Sequence, residues 1–166
     1  IVGMERLDAS EYFCLHAGFD VIEENANPNR FIPVDAMRAL EHEGKLELYS
    51  KIFVTEGTET TIDNAVRMGN EMASALKKDG VDGVIFVTSW GTCTRCGSFM
   101  AREIDRAGLP VTVLASLFPI AESLGVNRIS RSMAAAFPLG NPALSAEAEF
   151  AERKRTVENA VALLRV

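Results

Sequence analysis

The sequence predicts an α/β fold built on a mainly parallel sheet of about four strands, with helices on both faces. Three observations carry this expectation. Short apolar, β-branched runs, above all Val84-Ile-Phe-Val87 and Val111 to Ala115, alternate with segments of helical periodicity. Glycines fall where the helical patterns stop, at Gly44, Gly80 and Gly108. The 166 residues are 48% hydrophobic and 24% charged, ordinary for one soluble globular unit with a real core.

Taken in order, residues 1–32 are the least regular. Tyr12 to Asp20 is a dense cluster of reactive residue types, and Glu23 to Arg30 is polar and turn-rich and reads as a loop. Pro33 can open a helix, because its missing N–H is unneeded there, and Met37 and Leu40 share one face. Lys51-Ile-Phe-Val54 reads as a short strand, followed by the polar loop Thr55-Glu-Gly-Thr-Glu-Thr60. From Thr61 a helical stripe runs through Ile62, Val66, Gly69, Met72, Ala73 and Leu76. The strand from Val84 breaks at Thr88, Ser89 and Gly91, and a helix restarts with Met100, Ile104 and Ala107 on one face. Pro110 opens the strand 111–115, and Phe118-Pro119 begins a short helical turn. Arg128 to Ala135 is a fourth strand or irregular, and Phe137 to Pro142 is turn-rich. Ser145 caps a last helix with Phe150, Val157, Val161 and Leu164 on one face. We therefore read 1–166 as a single three-layer domain, Rossmann-like or flavodoxin-like, with strands 51–54, 84–88 and 111–115 adjacent and parallel. Loops 55–60, 88–96 and 116–119 would then converge at the carboxyl edge of the sheet, where such folds place ligands.

Net charge is −6 and no Lys/Arg-rich run exists, which argues against nucleic-acid binding. No apolar run reaches membrane-spanning length, and no signal-peptide pattern is present. The chain opens at Ile1 rather than Met, which reads as a trimmed, processed or partial chain. Three cysteines, two of them in C-x-x-C, suit a reducing cytoplasm with redox or metal chemistry better than a disulfide framework.

The chain is organised around Val84 to Met100, a strand, a break and a helix with Cys93-Thr-Arg-Cys96 at the helix entry. Backbone N–H groups at a helix N-terminus favour a thiolate, and Arg95 adds a positive charge. The polar neighbours Thr92, Thr94 and Arg95 favour redox or nucleophilic chemistry over buried structural cysteines. Cys14, His16, Cys93 and Cys96 would make a tetrahedral zinc set if the two pairs met. His16, beside Gly18 and Asp20, is a candidate general acid or substrate ligand; a hydrogen-bonded structural histidine is the alternative. Thr55 and Gly57, in a glycine-containing loop before a helix, could cradle a carboxylate or phosphate. Glu56 and Glu59 oppose an anion there, and capping is the ordinary alternative. Arg128 is a candidate for a substrate carboxylate, with a surface salt bridge as its alternative. Trp90 is a lone aromatic in a polar Gly/Thr loop, suited to a plug or a stacking wall.

The segment Thr88-Ser-Trp-Gly-Thr-Cys-Thr-Arg-Cys-Gly97 resembles the active-site segment of selenoprotein B, the substrate-specific subunit of the glycine, sarcosine, betaine and D-proline reductases of anaerobic bacteria. There the glycine-type members read selenocysteine-Gly-Thr-Cys-Thr-Arg-Cys. His16-Ala-Gly-Phe-Asp20, Pro33-Val-Asp-Ala-Met-Arg38, Asn127-Arg-Ile129 and Pro138-Leu-Gly-Asn-Pro142 are similar to further family segments in the same order. The family subunit is more than twice as long, so the resemblance places this chain at its C-terminal part. Trp90 stands where the family carries selenocysteine. UGA encodes selenocysteine and can be rendered as tryptophan, so misreading, substitution and divergence all remain open. Phe137 is a lesser departure, because glycine-type members carry His before Pro-Leu-Gly.

The resemblance implies an oxidoreductase that cleaves the α C–N bond of an amino acid or N-methylated amine. A pyruvoyl group on a partner subunit activates amino substrates as a Schiff base, and the selenol at position 90 attacks the α-carbon. Cys93 is implied as the resolving thiol and Cys96 as a relay. His16 and Asp20 are implied in orientation or proton delivery, and Arg128 in carboxylate binding. Implied partners are the pyruvoyl subunit, a thioredoxin-type reductant and, in glycine-type systems, selenoprotein A and an acetyl-transfer subunit. No cofactor or metal is expected on this chain itself, and with an indole at position 90 it should be inactive or impaired. A thiol–disulfide oxidoreductase using Cys93 and Cys96, and a zinc-binding scaffold, are the rival classes.

Overall fold

The computed structural model describes residues 1–55 and 59–165. The elements run α1 (Ile22–Ala26), a 3-10 turn (Pro28–Arg30), α2 (Val34–His42), α3 (Ile62–Lys78), β1 (Val84–Thr88), α4 (Gly91–Arg106), β2 (Val111–Ala115), α5 (Phe118–Ser123), β3 (Ile129–Arg131) and α6 (Ala146–Leu163). The sheet has order β1-β2-β3 and both pairings are parallel, with Val84 opposite Val111 and Val113 opposite Ile129.

The centre strand β2 is buried along its whole length, which is why its sequence is a continuous run rather than an alternation. Its residues still sort by face. Val111, Val113 and Ala115 pack with Met72, Ala73 and Leu76 of α3 and with Met100, Ala101 and Ile104 of α4. Leu114 turns the other way, onto Ala36 and Leu40 of α2, Leu139, and Val157 and Ala160 of α6. Helices thus cover both faces. Gly69 is required where α3 crosses α4, since a Cβ there would stand 2.8 Å from the Met100 Cα and carbonyl oxygen. The caps follow the expected chemistry: the Thr61 hydroxyl accepts from the Asn64 N–H at 3.2 Å, and the Ser145 hydroxyl from the Ala148 N–H at 3.3 Å.

Two expectations need correction. Among the described residues the sheet has three strands, because Lys51 to Val54 pairs with none of them. Ile52, Phe53 and Val54 are 36%, 43% and 74% exposed. The segment is tied elsewhere: the Ile1 amino group donates to the Ser50 carbonyl at 2.6 Å, the Leu48 N–H to Glu41 at 2.7 Å, and Tyr49 and Lys51 both bond Asp79. These anchors lie at the ends of α2 and α3 and leave the apolar run away from the β1 ladder. The second correction is Glu23 to Arg30, which holds α1 and the 3-10 turn rather than a plain loop. The Asn27 side chain accepts from the Asn29 N–H, so a short polar residue starts the turn.

A buried charge network closes the far side of the sheet. Arg153 is 3% exposed and sends Nε and Nη2 to the Asp35 carboxylate at 2.8–3.1 Å, while Nη1 donates to the Leu139 carbonyl at 3.1 Å. Glu149 accepts from Arg30 at 2.7 Å and from the Asn141 N–H at 2.9 Å. Burial alone would raise the Glu149 carboxyl, but these bonds and the charges of Arg30 and Arg153 outweigh it and hold it below the usual range. Gly140 is needed beside this network, because a Cβ there would come within 2.4 Å of Arg30 Cγ and 2.8 Å of the Glu149 carboxylate. The turn-rich segment 138–142 is thereby fixed onto α6.

Candidate active site

Because the strands are parallel, the chain leaves β1, β2 and β3 on one edge. The Ser116 hydroxyl donates to the Ser89 carbonyl at 2.9 Å, joining the first two exits. Trp90 is the N-cap of α4, with extended backbone. Its carbonyl accepts from the Thr94 N–H at 2.8 Å and from the Thr94 hydroxyl at 2.9 Å. Buried Thr88 donates to the Leu114 carbonyl at 3.2 Å, so the turn from strand to helix is bonded to the sheet. Gly97 lets α4 lie against β1: a Cβ there would stand 2.6 Å from Thr88 Cγ2. The C-x-x-C motif is therefore inside the first turns of α4 rather than in a loop between strand and helix.

The two thiols differ. Cys93, the third residue of α4, is half-buried, while Cys96 is 1% exposed and its thiol donates to the Thr60 carbonyl at 3.3 Å. Burial raises the Cys96 thiol, with the charge and hydrogen bond of Arg95 opposing and the charge of Cys93 adding to the rise. A thiolate at Cys96 is thus disfavoured, because the helix buries that face.

His16 meets Cys93 across the chain, with Nε2 at 2.9 Å from Sγ. The Gly18 N–H donates to His16 Nδ1 at 2.9 Å. An amide can only donate, so Nδ1 is the accepting nitrogen and the neutral ring carries its proton on Nε2, directed at the sulfur. Burial lowers the His16 pKa, which keeps the ring neutral near pH 7. The pair is therefore a neutral imidazole donating to a sulfur at a helix N-terminus. His16 stacks on Phe19 at 4.2 Å, and Phe19 lies 6.4 Å from Trp90. A Cβ on Gly18 would come within 3.0 Å of both the His16 ring and the indole, so the glycine makes room for both. Trp90 remains 43% exposed.

Of the other candidates, Thr60 reaches this edge through Cys96 and Arg95. Thr55 is half-buried, and Gly57 lies outside the described residues. Asp20 is exposed and accepts from the Ile22 N–H at 3.0 Å at the start of α1. Arg128 precedes β3, at the amino end of the sheet, and pairs with Asp105 at 2.9 Å; the structure does not bring it to the carboxyl edge. Among the described residues no three His, Cys, Asp or Glu side chains are grouped to hold a metal ion, so Cys14, His16, Cys93 and Cys96 do not form the zinc set. No described helix is long and apolar enough to cross a membrane.

The sequence reading missed Glu24. This α1 residue is fully buried and neither carboxylate oxygen has a hydrogen-bond partner among the described residues. Burial, above all, raises its pKa from 4.5 to about 7. No sequence signal distinguishes it from Glu23, because which of two adjacent acids faces inward depends on how a five-residue helix docks. The raised pKa fixes a sign. Between pH 4.5 and about 7 the unfolded chain loses this proton and the folded one keeps it. Stability should therefore fall as pH rises through that window, by up to about 3 kcal/mol. Glu24→Gln should remove that slope in denaturant titrations at pH 5 and pH 8; an unchanged slope would show that Glu24 does not carry it.

Comparison with known proteins bears on this site. Residues 1–89 match the family model "Glycine/sarcosine/betaine reductase selenoprotein B". The chain is 42% identical over 167 residues to the betaine reductase complex component B subunit beta of Peptoclostridium acidaminophilum, covering all of this chain and 38% of that protein. It is 41% identical over 165 residues to the glycine reductase complex component B subunit gamma of Carboxydothermus hydrogenoformans, covering 99% of this chain and 38% of the relative. It is 31% identical over 128 residues to the D-proline reductase subunit gamma of Acetoanaerobium sticklandii, covering 75% of this chain and 51% of that one. The chain thus spans a little over a third of the length of the first two. No solved structure matches it. The family match covers more than half of the chain and includes the His16 segment that reaches Cys93, and the chain belongs to the glycine/sarcosine/betaine reductase selenoprotein B family.

Proposed function

We propose that this chain is the C-terminal, thiol-bearing part of a cytoplasmic substrate-specific subunit of an amino-acid reductase complex. The complex would reductively cleave the α C–N bond of glycine, sarcosine, betaine or D-proline. The observation that carries the reading is the 2.9 Å contact between His16 and Cys93 at the N-terminus of α4, beside position 90.

The helix geometry supports a selenol at that position. Position 90 is the N-cap, and an N-cap side chain lies over the free amides of the first turn. A selenolate there would be held by those N–H groups as an attacking anion. Cys93 is at the third helical position, the one whose side chain reaches back to the N-cap in a capping box. A selenium–sulfur bond between 90 and 93 fits this neighbourhood, and His16 would stabilise the Cys93 thiolate that leaves when the bond is reduced. Attack at the α-carbon forms a carbon–selenium bond and expels the amine; external dithiol returns the two electrons. The pyruvoyl group proposed for a partner subunit supplies electrophilic activation of amino substrates, and this chain's residues would orient the substrate and exclude water around position 90. Asp20 and the segment bearing Thr55 and Gly57 are the proposed substrate-side groups; Arg128, at the other end of the sheet, is not among them. With an indole at position 90 there is no nucleophile.

The test is to place selenocysteine, or cysteine as a weaker nucleophile, at position 90 of the full-length subunit with its partner subunits and a dithiol. The expected result is amine release from glycine, sarcosine or betaine, or ring opening of D-proline, with no turnover in the Trp90 form. A selenocysteine form that turns over none of the four overturns the reading. A Trp90 form that reduces insulin disulfides would favour the plain thiol–disulfide oxidoreductase instead; buried Cys96 speaks against that outcome.

A further inference from the structure

We propose that Arg131 binds the carboxylate of the substrate at the carboxyl edge of the sheet, so that the adjoining carbon faces position 90. The inference rests on the reading of position 90 as the nucleophile and names the group that places what it attacks. Glycine, sarcosine, betaine and D-proline all carry a carboxylate on the carbon whose bond to nitrogen would be cleaved.

Strand register puts Arg131 at this edge. It is the last residue of β3 and lies beside Ala115, the last residue of β2, which lies beside Thr88, the last residue of β1. The three strands therefore end level, and the Arg131 and Thr88 backbones stand two strand spacings apart, about 10 Å. Residues in register on parallel strands turn their side chains to the same face. Ala115 packs with side chains of α3 and α4, and Thr88 meets α4 at Gly97. Arg131 is therefore on the α4 side of the sheet, where position 90 caps that helix. The start of α5 lies between the two. Leu117 and Ile120 approach Gly91, the neighbour of position 90, with side-chain carbons 3.8 and 3.7 Å from where its Cβ would be. Phe118 approaches Arg131, whose guanidinium carbon is 3.9 Å from the ring centroid.

The state of the guanidinium is the second observation. Arg131 is exposed, and among the described residues its side chain has no ion pair and no hydrogen bond, in a chain with 23 acidic residues. Stacking on Phe118 occupies a face of the guanidinium and leaves the N–H groups at its rim free to donate. A planar fork held by a ring, with its donors unused, is suited to take a carboxylate through two parallel N–H···O bonds. Arg95, in the second turn of α4, is already engaged and donates to the Thr60 carbonyl at 3.3 Å. Arg128, the sequence candidate for this role, pairs with Asp105 at the opposite end of the sheet.

Iodoacetate provides the test. Like the substrate it carries a carboxylate on the carbon that is attacked, whereas iodoacetamide has a similar shape with a neutral amide. A thiolate at position 90 displaces iodide from either reagent and forms a carbon–sulfur bond. The full-length subunit carrying Trp90→Cys and Cys93→Ser is treated with each reagent. Modification is read by mass in the tryptic peptide spanning residues 79–95, where position 90 then holds the only thiol. Adding Arg131→Met should lower the ratio of the iodoacetate rate to the iodoacetamide rate at least about tenfold, with the iodoacetamide rate unchanged. Arg131→Lys, which keeps the charge and loses the fork, should give an intermediate ratio. A ratio that Arg131→Met leaves unchanged, while the thiol at position 90 reacts, overturns this inference and leaves the nucleophile in place. A thiol at position 90 that reacts with neither reagent faster than it does in the denatured chain overturns both.

Discussion

Replacing Arg153 with methionine should destabilise the protein by about 3–5 kcal/mol, the largest stability effect expected of a single polar side chain here. The guanidinium is almost completely buried, makes a forked contact with Asp35 and donates to the Leu139 carbonyl. Methionine fills a similar volume, so little of the loss comes from packing. The loss comes from Asp35, whose carboxylate keeps only the Ala36 N–H at 2.7 Å among the described residues, and from the Leu139 carbonyl, left without its Arg153 donor. Glu149 loses the nearby charge of Arg153 but keeps its bonds from Arg30 and the Asn141 N–H. The Asp35→Asn, Arg153→Met double variant should therefore recover part of the loss, since no uncompensated charge remains. Urea titration of the two single variants and the double gives the coupling directly. A loss below about 1 kcal/mol would place the pair with ordinary surface ion pairs.

The second large effect is on reactivity. His16→Phe should slow alkylation of Cys93 at pH 7 by about 10- to 100-fold, read with Cys14 and Cys96 replaced by serine. A hydrogen bond to a charged group contributes about 1.5–3 kcal/mol, and the Nε2–H to sulfur contact is of that kind once the thiol ionises. Phenylalanine keeps the stack on Phe19, so the segment should stay in place while the donor is lost. His16→Gln, which retains a donor, should recover much of the rate. The sign distinguishes this pair from a base–thiol pair. Here the imidazole is neutral and already protonated on the nitrogen that faces sulfur, so the rate should not fall as His16 is deprotonated. An alkylation rate that His16→Phe leaves unchanged would show that the 2.9 Å contact has no chemical consequence.

Much of the fold was legible in local patterns. The apolar run at 111–115 was predicted as a strand and is the buried centre strand β2; Thr61 and Ser145 were placed at helix starts and each accepts the expected amide; glycines at 44, 80 and 108 take positive φ where helices end. These are properties of residues and their immediate neighbours, so a sequence displays them. Lys51 to Val54 shows the limit. Its three apolar residues, Ile52, Phe53 and Val54, have the composition of a strand, but pairing depends on whether an open strand edge lies within reach, and anchors at Ser50, Tyr49 and Lys51 hold the segment elsewhere.

The site divides the same way. Sequence alone determined that thiols stand at the entry of a helix following a strand, and that His16 and Trp90 belong to the segments worth examining. Only the tertiary structure decided that Cys93 and not Cys96 faces His16, that His16 carries its proton toward sulfur, that Arg128 sits at the opposite end of the sheet, and that Glu24 rather than Glu23 is sealed from water. Each of these depends on residues tens of positions apart, or on which side of a short helix is turned inward. Periodicity records where a chain buries its apolar surface, because burial repeats along an element. A contact between His16 and Cys93 occurs once, is made by two loops that the sheet brings together, and leaves no repeating trace in the chain.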